Sequence, residues 1–103
     1  MSPTVFRIHY TTRALSEIDE QVDYVARTSP TRASLFVDAI FRQIDLPKTH
    51  PRIGRVVPET GKEAVRELLF RQYRIIYHVI SDAQINILTL QSGRRPLQNF
   101  PQS

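Results

Sequence analysis

Cysteine and tryptophan are absent from the 103 residues, methionine occurs once and glycine three times. Without cysteine there is no disulfide framework and no thiolate metal site. Long apolar runs are also missing: stretches such as Ile75-Ile76-Tyr77 fall far short of the ~20 residues that a membrane-crossing helix needs. The opening MSPTVFRIHY has no charged leader followed by an apolar core, so no signal peptide is read and a cytoplasmic location is expected. Histidine is scarce. His9, His50 and His78 are the three, with no metal-ligand spacing between them, so no metal is expected. There is no glycine-rich phosphate loop between a strand and a helix, no Ser/His/acid set that the sequence alone assembles, and no cofactor is expected.

Acidic residues are outnumbered. Ten Asp and Glu stand against fourteen Lys and Arg, giving a net charge of +4 and a pI near 10.0, and twelve of the fourteen basic residues are arginine. Guanidinium groups suit planar carboxylates and phosphates through paired donors. The excess points to nucleic acid or an acidic protein partner, with a plain basic surface as the other reading.

The length fits one domain over residues 1–103 with a modest core. Val5 to Tyr10 reads as a strand of β-branched and aromatic residues. Leu15, Ile18, Val22 and Val25 form a helical stripe that Thr11 or Thr12 can cap, and the helix must stop by Ser29-Pro30. Ser29 then caps a second helix with Pro30 in its first turn. Its apolar positions are Ala33, Phe36, Val37, Ile40, Phe41 and Ile44, and Pro47 ends it. The segment from Lys48 to Ala64, with Pro51, Gly54, Pro58 and Gly61, reads as one long loop. Three strands follow, from Val65, Tyr73 and Ile85, joined at Arg71-Gln72 and at Ser81 to Gln84. The order β-α-α-β-β-β predicts an α+β fold with a helical hairpin packed on one face of a mainly antiparallel sheet.

That arrangement leaves the other sheet face open. Alternation puts Ile75, Tyr77 and Val79 toward the core and Arg74 and His78 on the open face. Arg66 joins Arg74 there if the register of the neighbouring strand allows. The expectation is a concave basic surface. Tyr77 reads as packing, while Tyr73 and Tyr77 alternating with Arg74 and His78 also suit base stacking. His9 and His50 read as structural or merely exposed. Arg94 and Arg95, directly after the last strand, read either as a solvated tail or as docking charges at a fixed strand end.

RALSEIDEQVDYVA, SPTRASLFVDAI, HPRIGR, VRELLFRQYRIIYHV and SGRRPL, in that order and spacing, resemble the RelE/ParE superfamily of type II toxin–antitoxin toxins, the ParE-like branch best. The chain departs from that pattern at Pro47, where members continue the second helix through a leucine, and at Ser92, where many carry a histidine. The resemblance implies a toxin that inhibits DNA gyrase by binding, without chemistry of its own, and that a cognate antitoxin neutralises by folding a disordered segment onto it. Partner-binding residues on this reading are Arg66, Arg74, Arg94 and Arg95. The alternative is a RelE-like endonuclease cutting mRNA on the ribosome, with Arg66 and Arg74 stabilising charge on phosphorus and His78 or Glu59 moving protons. Ser92 cannot serve as acid or base near neutral pH, because its hydroxyl does not titrate there.

Overall fold

The computed structural model describes residues 5–93; the expectations for Arg94 and Arg95 lie outside the described residues. Strand β1 spans Arg7–Tyr10 and is followed by helices α1, Thr12–Thr28, and α2, Pro30–Ile44. Strands β2 (Arg55–Val56), β3 (Val65–Phe70), β4 (Tyr73–Val79) and β5 (Gln84–Ser92) complete the order. They form a five-stranded sheet in the order β1-β5-β4-β3-β2, antiparallel throughout except where β1 runs parallel to β5. Two helices packed on such a sheet make the α+β fold that the sequence predicts.

Local chemistry sets the helix ends. The Thr11 hydroxyl accepts from the Ala14 N–H at 3.2 Å and donates to the carbonyls of Ile87, at 2.8 Å, and Leu88, at 3.1 Å. One side chain thus caps α1 and ties it to β5. Ser29 serves both helices: its N–H donates to the Val25 carbonyl at 3.0 Å, and its Oγ accepts from the Arg32 N–H at 3.1 Å. Pro30 fills the first position of α2, where no N–H is needed. After Ile44 a single 3-10 turn at Leu46–Lys48 buries Pro47, in keeping with the early end that this proline imposes.

The helices cover one sheet face. Ala14 and Ile18 from α1 and Phe36, Ile40 and Ile44 from α2 pack on Leu68, Tyr73, Ile75, Tyr77, Ile85, Ile87 and Leu90. Phe36 meets Tyr73 edge-on with ring centres 5.5 Å apart, and Tyr10 meets Phe41 likewise at 5.7 Å. Leu15, expected in the stripe, is exposed. Ala14 occupies the buried position instead, since a small residue lets the helix lie close to the strands.

Three further expectations change. The first strand begins at Arg7, not Val5. The long loop contains β2, a two-residue strand too short to show alternation but paired with β3 through Arg55 opposite Glu67 and Val56 opposite Arg66. The second sheet face is open only in part. The connection between β2 and β3 folds back across it, and Val57 from that connection closes a small second core with Val65, Ile76 and Leu88.

Candidate functional site

Across an antiparallel pair, directly opposed residues share a face. Arg66 lies opposite Tyr77 and Glu67 opposite Ile76, while Leu69 lies opposite Arg74. Arg66 therefore sits on the helix-side face and Arg74 on the outer one, so the expected joint basic surface does not form. The residue of β3 that shares the outer face with Arg74 is Glu67.

On the outer face Arg74 is the centre of an internal ion network. Its Nε donates to Glu67 Oε1 at 3.1 Å, and its Nη2 makes a short contact with the same oxygen. Its two terminal nitrogens bind both oxygens of Glu59 at 2.9 Å, a planar fork meeting a planar carboxylate. The second oxygen of Glu67 accepts from Arg55 at 2.8 Å. The Arg74 and Glu67 side chains are 4% and 0% exposed, whereas Glu59 is 23% and Arg55 59% exposed. Two cations and two carboxylates balance, which is what makes burial of this charge tolerable. The Arg74 pKa is raised above its already high ordinary value, first by its hydrogen bond to Glu59, so it carries its charge at any ordinary pH. The open basic surface expected around Arg74 is thus a closed bracket holding the β2–β3 connection on the sheet.

Arg66 braces a different segment. Its guanidinium donates to the Gly54 carbonyl at 2.8 Å, to the Glu63 carbonyl at 3.0 Å and to the Glu63 carboxylate at 3.1 Å, and its side chain is 12% exposed. Tyr77 works beside it. The Tyr77 hydroxyl donates to the Pro51 carbonyl at 2.8 Å and accepts from the Gly54 N–H at 3.0 Å. A Cβ at Gly54 would stand 2.5 Å from the Glu67 carbonyl and 2.8 Å from the Tyr77 hydroxyl, so only glycine fits that approach. Tyr77 is packing with its hydroxyl bonded, as read from the sequence.

The proton-transfer candidates separate. His78 is on the outer face with Arg74, four residues along the same strand, and its pKa is lowered by burial and by Lys62. Glu59 is held by Arg74. Ser92 is exposed at the end of β5. His50 is exposed and pairs with the Thr49 hydroxyl at 2.9 Å. Among the described residues no group of three or more His, Cys, Asp or Glu could hold a metal ion, and no helix is long and apolar enough to cross a membrane.

A more open surface lies where the helical hairpin turns. Two indentations, of about 390 and 610 Å³, share Val25, Gln72 and Tyr73. Leu35, Phe36, Arg32 and Arg71 line the first; Tyr24, Arg27, Glu20 and Ser92 are among those lining the second. Tyr24 is 68% exposed and Leu35 62%. Tyr73 is anchored beneath them, its hydroxyl donating to Gln21 Oε1 at 3.0 Å, and the Gly93 N–H ties the end of β5 to the Gln72 carbonyl. The sequence stripe hid this surface, because Tyr24 and Leu35 stand off the buried face of their helices. Their exposure was the only signal, and it needs coordinates.

Residues 8–97 match the family model described as ParE toxin of type II toxin–antitoxin system, parDE. The chain belongs to that family. The fold of this ParE-family toxin is also similar to a solved chain of the chromosomal ParDE TA system from P. aeruginosa. The TM-score is 0.70 at 24% sequence identity, covering 87% of this chain and 98% of that one; at that identity the likeness shows the fold. No curated protein matches.

Proposed function

We propose that this type II toxin acts in the cytoplasm as a single domain over residues 1–103, inhibiting DNA gyrase by binding it, and that a cognate antitoxin neutralises it by laying a segment into the surface around Tyr24, Leu35 and Tyr73. The observation that carries the antitoxin part is composition. Exposed Tyr24 and Leu35 and the walls of Val25, Phe36 and Tyr73 are flanked by Arg27, Arg32 and Arg71, which outnumber the Glu20 and Asp23 that also line the second indentation. Apolar anchors rimmed by guanidinium groups suit an amphipathic segment carrying carboxylates, which orders as it binds. Arg94 and Arg95 belong to the partner-binding set that the family resemblance implies, and Arg66 acts on the partner surface only through the loop it braces.

The gyrase part is supported by family membership and by how the alternative's residues are used. Arg74 and Glu59 bind each other, Arg66 lies on the other face, and the position where many members carry a titrating histidine is Ser92. Three of the groups that metal-free RNA cleavage would recruit are thus engaged or apart. Purified toxin should inhibit gyrase supercoiling and trap cleaved DNA while leaving ribosome-bound mRNA intact. Unaffected supercoiling, or mRNA cut in the ribosomal A site, refutes the gyrase reading. For the antitoxin, Leu35→Glu should weaken the complex at least tenfold with the denaturation midpoint of the free toxin almost unchanged, since Leu35 is exposed. Undiminished affinity would place the antitoxin elsewhere.

A further inference from the structure

The outer face beyond the second core carries a row that the sequence does not reveal. His9 of β1 is in register with Asn86 of β5, and Asn86 is in register with His78 of β4. Registered residues share a face, so two of the three histidines flank one asparagine across three adjacent strands, about 10 Å apart by two strand spacings. Arg7 and Gln84 are in register one step along on the same face. Lys62 completes the row from the β2–β3 connection: its carbonyl accepts from the N–H of Val65 at 3.1 Å, and Val65 lies opposite His78. Arg7, His9 and Lys62 are exposed, while Asn86 and His78 are partly so.

Charge on this row is of one sign. The acids near that end, Glu63 and Asp82, line an indentation with Phe6 and Val79, both of which pack against the helix-side core, so they face the other way. Glu59 is bound to Arg74. Burial and the nearby Lys62 both lower the His78 pKa. Gln84 Nε2 donates to Asn86 Oδ1 at 3.0 Å, which occupies the Asn86 carbonyl and leaves its NH₂ as the group on offer. A strip with two cations, two imidazoles and one amide donor, with no carboxylate in the row among the described residues, attracts anionic partners and repels cationic ones.

We propose that the strip Arg7, His9, Asn86, His78 and Lys62 binds a single strand of nucleic acid, Arg7 and Lys62 contacting phosphates and the imidazoles stacking on unpaired bases. Single strands fit better than duplex because stacking on side-chain rings requires bases free of their partners. This inference is independent of the gyrase reading and is tested without gyrase or antitoxin.

The test is fluorescence anisotropy with a labelled 15-nucleotide oligothymidylate and the full chain. Each phosphate contact contributes about 0.7 to the slope of log affinity against log salt for single strands, so Arg7→Gln/Lys62→Gln should lower the slope by about 1.4. Arg13→Gln/Arg42→Gln removes the same charge from the two helices on the other side of the sheet and should leave affinity within about twofold. At fixed pH, His9→Ala/His78→Ala should weaken binding severalfold, because it removes the two stacking planes. Equal losses from both double charge variants would overturn the proposal, as would equal affinity for duplex of the same length. Preference for an oligoglutamate peptide over the oligonucleotide would also overturn it, assigning the strip to an acidic protein.

Discussion

At the residue scale, the side chain most suggestive of function is committed to structure. Arg74 is buried with Glu67 and Glu59, and removing one member of a buried, balanced network leaves an uncompensated charge that costs about 3–5 kcal/mol. Domains of this size are stable by about 5–15 kcal/mol, so Arg74→Ala should lower the urea midpoint sharply. Glu59→Gln should cost less, since Glu59 is the more exposed partner. The consequence reaches functional experiments: lost toxicity in Arg74→Ala reports unfolding, and needs a denaturation curve beside it. Tyr77→Phe is a second residue-scale prediction. It leaves the Gly54 N–H and the Pro51 carbonyl without their hydroxyl and should cost about 1–3 kcal/mol, read from the same urea curve.

At the scale of elements, the two helix caps differ in what they hold. Ser29 satisfies backbone groups of the hairpin alone, whereas Thr11 also anchors α1 to two carbonyls of β5. Ser29→Ala should cost about 1 kcal/mol. Thr11→Ala should cost more than Ser29→Ala, because tertiary bonds go with the cap; equal midpoints would show that the β5 contacts contribute nothing. Glu17 has a related task. Beyond Ile87, β5 has outrun β1, and Glu17 Oε1 accepts from the Leu90 N–H at 3.2 Å and the Thr89 hydroxyl at 2.6 Å. A helix carboxylate thereby closes a strand edge that would otherwise invite pairing. These elements were readable from the chain, since their caps, prolines and apolar spacing are local signals. The two-residue β2 was not, because its pairing is decided by Glu67 and Arg66, about ten residues away.

At the scale of the whole molecule, burial sets the pH range of stability. His78 is held below its usual 6.5 by burial and Lys62, so its contribution is full above pH 6.5 and is lost as pH falls through the lowered value. Tyr10 is pushed up to about 12 by burial and by Asp45, and Tyr73 and Tyr77 are raised by burial. Their contribution is full below pH 10 and is lost as pH rises toward 12. Urea midpoints should therefore be highest between about pH 6.5 and 10, and Tyr10→Phe should flatten the alkaline limb. An unchanged alkaline limb in that variant would contradict the assignment to Tyr10.

The helical hairpin, the three long strands and the α+β class were legible in the chain, because each rests on spacing between near neighbours, and the family was legible as a resemblance of five motifs. Simple alternation also placed Ile75, Tyr77 and Val79 on the core face. The face that Arg66 takes, the closure of the β2–β3 connection over Arg74 and the alignment of His9 and His78 on either side of Asn86 came from the folded chain alone. Those outcomes depend on strand register and on where a loop folds back. A one-residue change in register reverses every side chain on a strand, and nothing local in the chain records which register wins.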